Sequence, residues 1–351
     1  MSESPKNPDL VWSGYCVSEI AWIDSSDLSA FSLIGGSGRT SGMTLKKGPS
    51  PFPTTYEPVS CDLCGADNPV PVLVGPDRQL GGQEQFTLVR CCHCGLIYQS
   101  PQPTDLGSYY PQSYAPFGQV QQKATSRISA YLQARDEQAL RRLIGWAGRV
   151  LEVGCATGDY LLMLRQRGWE VTGLEPSDHA AAIARQRGLD VRTGVLLDAH
   201  LPAEAFDLVL LRHVLEHVPS PSATLSEIHR LLAPHGKVSV LVPNYDSLER
   251  TLCGPYWHGY DLPRHLFTFA PRTLTAMMER AGLYVQRIHH TYVPTSYVWS
   301  VRYWAQAHGQ ATLARFFRND NLLAIGLFVP LGLLGAWLHR AGRILIVAAK
   351  A

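Results

Sequence analysis

A surplus of charge of either sign is absent from this chain: 31 lysines and arginines stand against 29 aspartates and glutamates, a formal net charge of +2. Gripping a phosphodiester backbone takes a concentrated basic surface, so the composition excludes nucleic acid as the partner. The basic-then-apolar order of a secretory leader is also missing from Met1-Ser2-Glu3-Ser4-Pro5-Lys6, and a cytoplasmic protein is expected. Sustained periodicity is missing from residues 1–55, where Ser, Gly and Pro collect around Ile34-Gly35-Gly36-Ser37-Gly38; disorder is expected there, and Met43 offers an alternative start. What is plentiful is apolar: 46% of 351 residues supplies a core for one main domain with an appendage.

The most informative stretch is Leu151-Glu152-Val153-Gly154-Cys155-Ala156-Thr157-Gly158-Asp159, an apolar run ending in an acid and then in two glycines four positions apart. It reads as a buried strand turning tightly into a helix, with glycines where backbone freedom and close approach of a ligand are needed. Twenty-three residues after Glu152 the run Val171-Thr172-Gly173-Leu174 ends in Glu175, where a doubly wound sheet sets a carboxylate against a ribose diol. The G-x-G-x-x-G spacing of a pyrophosphate cradle is lacking, because Ala156 takes the middle position and Asp159 the third. Beyond this loop, strand and helix patterns alternate: Asp159–Arg167, Val171–Glu175, Ser177–Gln186, Val191, Phe206–Leu211, Ser222–Leu232, Val238–Val242. Alternation of this kind predicts an α/β fold with a parallel sheet, helices on both faces and the ligand at the carboxyl ends of the strands. Ser126 to Leu143 has helical spacing and is expected to cover the sheet ahead of its first strand.

Four ordered motifs, the loop at 151–159, Phe206-Asp207-Leu208-Val209-Leu210-Leu211, His213-Val214-Leu215-Glu216-His217-Val218 and Leu231-Leu232-Ala233-Pro234-His235-Gly236-Lys237, resemble those of the class I S-adenosylmethionine-dependent methyltransferases across 149–245. The resemblance implies a Rossmann-like seven-stranded sheet in the order 3-2-1-4-5-7-6. It further implies that Glu152 holds the cofactor's amino group, that main chain at Gly154, Cys155, Ala156 and Gly158 meets its methionine part, and that Glu175 accepts both ribose hydroxyls. Asp198 is the nearest acid for the adenine amine, and His213 opens the segment facing the methyl-donor pocket.

Cys61-x-x-Cys64-Gly65 and Cys91-x-x-Cys94-Gly95 are separated by 26 residues. Each presents two thiolates from a tight turn, and two such turns complete a tetrahedral, structural Zn²⁺ site. Cys92 and His93 are alternative ligands, paired disulfides are the competing reading, and Cys16, Cys155 and Cys253 read as small apolar residues. Cys94-Gly95-Leu96-Ile97-Tyr98 followed by Pro101, Pro103, Tyr109-Tyr110 and Tyr114 is similar to the ribbon module of methyltransferases acting on deoxysugar nucleotides and polysaccharide termini, the sugar C-methyltransferase and methyltransferase-domain-23 branch. That likeness implies that Tyr110 or Tyr114 closes the substrate pocket, against the plainer reading of a linker aromatic packed on the ribbon.

A proton acceptor near neutral pKa is what methyl transfer to oxygen or carbon asks of the protein. The loop Tyr256 to Phe269 carries Pro263-Arg264-His265-Leu266 and resembles the base-bearing loop of those sugar enzymes, with His265 as catalytic base or as a packed loop residue. Arg264 stands where they have glutamate and is expected to grip a phosphate or carboxylate. His213-x-x-Glu216-His217 also matches the inverted zinc-protease pattern, but it follows a cofactor-sheet strand and lacks a separate third ligand. Ubiquinone-pathway O-methyltransferases hold a divalent ion at a Glu-x-x-Glu-His cluster here; with His213 in place of the first glutamate, the expectation is a helix-start turn tied by hydrogen bonds.

Thr273–Ala281 reads as a helix, Leu283–Ile288 as strand six and Arg343–Lys350 as strand seven, after a long insertion rich in Trp, Tyr and Leu. Within it 322–338 is apolar throughout. Seventeen helical residues rise only about 25 Å, short of a ~30 Å hydrocarbon core, and one crossing would part strands that must pair. The segment is an interfacial or re-entrant anchor, a subunit contact, a lid over an apolar substrate, or a buried core helix. The expected organisation is an extension (1–55), a zinc ribbon (56–115), a methyltransferase core (120–290), the insertion (291–342) and the final strand (343–351). The expected activity is methyl transfer from S-adenosylmethionine to a small or lipid-linked glycan-type acceptor, with peripheral membrane contact through 322–338. The rival readings are an NAD-dependent oxidoreductase and a non-catalytic scaffold.

Overall fold

The computed structural model describes residues 55–110 and 148–350. The expectations for 1–54, the start at Met43, Cys16, Tyr114 and the helix at 126–143 lie outside them.

Seven segments form the main sheet: β6 (Arg149–Val153), β7 (Glu170–Glu175), β8 (Asp190–Thr193), β9 (Phe206–Arg212), β10 (Leu232–Pro243), β12 (Leu283–Thr291) and β13 (Arg343–Lys350). Their spatial order is β8-β7-β6-β9-β10-β13-β12, the 3-2-1-4-5-7-6 order of the expectation, with β13 antiparallel to both neighbours. β6 and β9 are near-continuous apolar runs because helices cover both faces, and Val150, Leu151, Val209 and Leu211 have no exposed surface. The crossover helices are α1 (Asp159–Arg165), α2 (Asp178–Gln186), α3 (Pro221–Leu231) and α5 (Pro271–Arg280). Local chemistry sets where they begin. Ser177 caps α2 by accepting from the Ala180 amide, and Ser220 caps α3 from the Ala223 amide with Pro221 at its first position.

The N-terminal module is a meander of β2 (Pro69–Pro76), β3 (Gln85–Cys91) and β4 (Ile97–Gln99), with β1 (Tyr56–Glu57) paired to β5 (Gln102–Pro103) beside it. It does not stand apart from the core. A fourth strand, β11 (Phe267–Thr268), comes from the loop after β10 and pairs with β4 through Phe267 opposite Tyr98. Tyr98, Phe267 and Phe269 stack in sequence inside one apolar cluster that continues to Leu211, Leu274 and Ile344. Truncating a phenylalanine buried this fully costs ~3–5 kcal/mol. Polar seams reinforce the join: Asp62 accepts from Ser220 and Ser222 at the start of α3, and Arg280 donates to the Leu63 carbonyl.

Between β12 and β13 the chain forms α6 (Pro294–Ala307), α7 (Ala311–Phe316) and α8 (Leu322–Trp337), following α4 (Leu248–Cys253) after β10. α8 buries Ala324, Gly332 and Gly335 and stacks Phe328 on Tyr297, while Leu322, Leu323, Leu327, Leu333, Leu334 and Trp337 face outward. It is therefore no buried core helix. Among the described residues no helix is long and apolar enough to cross a membrane.

Candidate active site

The acid–glycine loop lies between the ends of β6 and β7, and its amides are tied to β7: Gly154 and Cys155 both donate to the Leu174 carbonyl. Gly154 and Gly158 have φ of +68° and +77°, and Ala156 +47°. A Cβ on Gly154 would come within 2.6 Å of Val214, and one on Gly158 within 2.4 Å of Leu189. The expectation that these glycines open space for a ligand is thus corrected; they admit a left-handed turn and a protein side chain. Cys155 is buried, and burial pushes its thiol up to about 12, so it packs and does not react.

Glu152 and Glu175 stand on either side of this loop. Glu152 is 4% exposed, burial pushes its carboxyl up to about 8, and its Oε2 has no hydrogen-bond partner. A buried carboxylate oxygen without a partner fits an incoming cation. Glu175 accepts from the Ala156 amide on Oε2 and the Ser177 amide on Oε1, each at 2.9 Å, and keeps a second lone pair on each oxygen. Burial raises its pKa against the effect of those amides. Asp198 is exposed in the single turn Leu196–Asp198 beyond β8.

After β9 the chain does not enter a helix at once. Residues 213–219 form turns and α3 begins at Pro221, which corrects the expected helix start. His213 (φ +57°) contacts Glu216 Oε1 through Nδ1 at 3.1 Å. Burial opposes ionisation of Glu216, yet the His213 bond and the surrounding imidazoles bring its carboxyl down to about 2. The Glu216 carbonyl accepts from Leu266 and Phe267, so this turn carries the His265 loop. His217 Nδ1 lies 3.0 Å from the Arg264 carbonyl and 2.7 Å from the Tyr110 hydroxyl, which places Tyr110 against the site.

His265 is 8% exposed, and its Nδ1 lies 2.8 Å from the Gly259 carbonyl. That contact fixes the proton on Nδ1 and leaves the Nε2 lone pair free, 3.9 Å from Asp261 Oδ2. Burial lowers the His265 pKa, so the ring is neutral, with Asp261 and Glu216 placed to favour it once protonated. Glu216, His217 and His265 bring one carboxylate oxygen and two imidazole nitrogens within 4.8 Å of one another, and Glu216 Oε2 has no hydrogen-bond partner. Arg264 is a different matter. It has no exposed surface, and four of its five donors reach Asp77 (2.7 and 2.9 Å) and Asp261 (2.7 to 3.2 Å). Its reading as a grip on substrate is corrected, because its charge is consumed inside the protein, joining the N-terminal module to the His265 loop.

A cavity of about 140 Å³ is lined by His213, His258, Asp261, His265, Ser296 and Arg343 among others. Sequence reasoning missed His258, Arg343 and Glu249. Burial lowers His258 to about 4, and its amide donates to Ser300 of α6. The signal for Arg343 was available, since the first residue of an antiparallel last strand sits at the ligand end of the sheet. Glu249 was hidden by distance: it accepts from Trp257 Nε1 and from the Ser296 hydroxyl, and burial pushes its carboxyl up to about 7.

The four ribbon cysteines converge as well. Cys61 Sγ lies 3.4 Å from Cys94 Sγ, Cys64 Sγ lies 3.5 Å from Cys91 Sγ, and all four sulfurs are within 4.8 Å of one another. The two knuckles are built alike: Gly65 donates to Cys61 O and Gly95 to Cys91 O, both glycines having positive φ.

An acid–glycine loop, an orphaned buried carboxylate and a second strand-end acid in this sheet order define a methyl-donor site. Residues 118–288 match the family model described as a methyltransferase domain. The Ubiquinone biosynthesis O-methyltransferase of Pseudomonas aeruginosa (strain LESB58) is 32% identical over 161 residues, covering 41% of this chain and 68% of that protein. Its counterpart in Azoarcus sp. (strain BH72) is 32% identical over 173 residues, covering 45% and 74%. A SAM dependent methyltransferase structure from Archaeoglobus fulgidus matches 62% of this chain and 94% of its own at 19% identity, with a TM-score of 0.42. The chain belongs to the class I S-adenosylmethionine-dependent methyltransferases, which removes the oxidoreductase and scaffold readings.

Proposed function

We propose that this methyltransferase acts on a hydroxyl oxygen of a small or lipid-linked acceptor carrying a six-membered ring, a glycan-type acceptor among them, with His265 as base. The observation that carries the reading is the turn 213–217. It packs Val214 against the glycine loop, lines the cavity with His213, and holds the His265 loop through the Glu216 carbonyl. Bound S-adenosylmethionine supplies an electrophilic methyl on a sulfonium. Glu152 would hold its amino group through the orphaned Oε2, Glu175 would hold the ribose diol, and Asp198 is the acid that the family resemblance offers for the adenine amine. His265 Nε2 takes the acceptor hydroxyl's proton while Nδ1–H stays on Gly259, and Asp261 stabilises the resulting imidazolium. The names of the relatives favour oxygen as the accepting atom over carbon.

A second reading rests on Glu216, His217 and His265. A divalent cation on that trio would lower the acceptor hydroxyl's pKa directly. The four cysteines hold a structural zinc in this proposal. A Zn–S bond of ~2.3 Å in a tetrahedron sets sulfurs about 3.8 Å apart, inside the range found. Four sulfurs this close cannot all ionise without a counter-charge, which a dication would supply.

The test is transfer from isotopically labelled S-adenosylmethionine across a panel of hydroxylated ring acceptors, together with titration of S-adenosylhomocysteine. His265→Gln must lower turnover about 100-fold or more with cofactor affinity unchanged; full turnover removes the base assignment. Activity that vanishes with a chelator, while the cysteine-bound zinc stays, selects the second reading.

A further inference from the structure

Among the described residues Arg343 is the one guanidinium lining the cavity beside His265. It opens β13 opposite Pro243 of β10 and Thr291 of β12, at the end of the sheet that carries the cofactor loop. Among the described residues no hydrogen bond or ion pair engages its side chain; Glu249 and Glu216 act on its charge without bonding to it. Glu249 accepts from Trp257 and Ser296 on Oε1 and Glu216 meets His213 on Oε1, and neither carboxylate lines the cavity. Asp261, the carboxylate in the cavity wall, is held by Arg264. A largely buried cation with no hydrogen-bonded carboxylate thus faces a cavity whose lining carboxylate among the described residues, Asp261, is held by Arg264.

We infer that Arg343 forms an oxyanion subsite, so that the acceptor bears a carboxylate or phosphate group on or next to the ring that is methylated. The guanidinium fork suits either oxyanion, and a charge-assisted pair out of bulk water is worth more than its exposed equivalent. Size narrows the occupant. About 140 Å³ is close to the ~150 Å³ of a cavity that takes up one benzene, so the cavity suits one six-membered ring and leaves any nucleotide or lipid portion outside. His213, His258 and His265 supply polar contacts to the ring's remaining substituents. The inference rests on the proposed methyl transfer only for which hydroxyl lies against His265; the subsite itself stands on the cavity and its charge.

The probes are benzoate, phenyl phosphate and neutral benzamide, titrated by NMR into the protein saturated with S-adenosylhomocysteine, for the native chain, Arg343→Lys and Arg343→Met. The expected result is an affinity for at least one anion about tenfold or more above that for benzamide. That preference shrinks in Arg343→Lys and disappears in Arg343→Met, with S-adenosylhomocysteine affinity unchanged in all three. Benzoate alone points to a carboxylated acceptor, and phenyl phosphate alone to a phosphorylated one. Equal affinity for all three probes, or a preference kept by Arg343→Met, overturns the subsite. Loss of S-adenosylhomocysteine binding in the native chain with the anion preference intact would instead sink the methyl-transfer reading and leave the subsite standing.

Discussion

Replacing Arg264 with methionine separates a structural clamp from a substrate grip. In the native chain Arg264 is fully buried between Asp77 and Asp261, whose side chains are 7% and 6% exposed. The methionine fills much of the space but leaves two carboxylates in a site that water barely reaches. Breaking a buried ion pair from one side costs about 3–5 kcal/mol. For a folded body of this size that is a fall in Tm of roughly 10 °C. Arg264→Lys keeps the charge but not the fork, and recovers part of the loss. The sign of the pH dependence follows from Asp261. Burial opposes its ionisation, but Arg264 prevails and holds its carboxyl down to about 2, so its contribution is present above the ordinary carboxylate pKa and is lost as pH falls toward 2. The stability gap between native and Arg264→Met, read from denaturant unfolding at pH 7 and pH 4, is therefore expected to narrow at the lower pH. A gap under about 1 kcal/mol at pH 7, with acceptor KM raised and cofactor affinity intact, would refute the clamp and return Arg264 to the substrate.

Glu152→Gln should stabilise the cofactor-free protein at pH 8, because a carboxyl whose folded pKa is raised to about 8 gives stability that is full below its unfolded pKa and lost as pH climbs; the same change should cut S-adenosylhomocysteine affinity about tenfold or more by calorimetry. Elemental analysis should find one zinc per chain, falling to none in Cys61→Ser/Cys94→Ser with loss of near-ultraviolet dichroism from the Tyr98 and Phe267 cluster; metal retained by that double variant would remove the cysteine site. On vesicles containing anionic lipid, Trp337 emission should shift to the blue and Leu327→Glu should weaken sedimentation with the vesicles at least about threefold. An unchanged emission would leave α8 as a subunit contact or lid, which the sedimentation coefficient of the native chain tells apart.

The sheet was legible because its signals are local. Buried strands are apolar runs, and Arg149–Val153 and Arg343–Lys350 stand at the bounds their residues suggest. Ser177 marks the start of α2 for the same reason, whereas α3 begins at Pro221 under a Ser220 cap, one residue ahead of the Ser222 expected. The cysteine cluster was legible because two knuckles of equal spacing have few other uses. The acceptor side was not, since it is assembled over long separations: Asp77 meets Arg264 across 187 positions, and Arg343 joins His213 and His258 only when β13 closes the sheet. No periodicity records that Arg264 is taken and Arg343 is not. The two lie in opposite local contexts, one in a motif that attracted a functional reading and one in an ordinary strand.

Because β11 is both the edge of the cysteine-bearing sheet and the continuation of the His265 loop, the N-terminal module is a fixture holding one wall of the cavity lined by His265. A chain trimmed to its methyltransferase core would keep the cofactor loop yet strip β4 from Phe267, leaving an unpaired edge and an apolar face two residues from His265. Such a fragment would bind cofactor and aggregate or turn over poorly. Substitutions in the module, far from the cofactor loop in sequence, are then expected to reshape that cavity wall while leaving the cofactor loop intact.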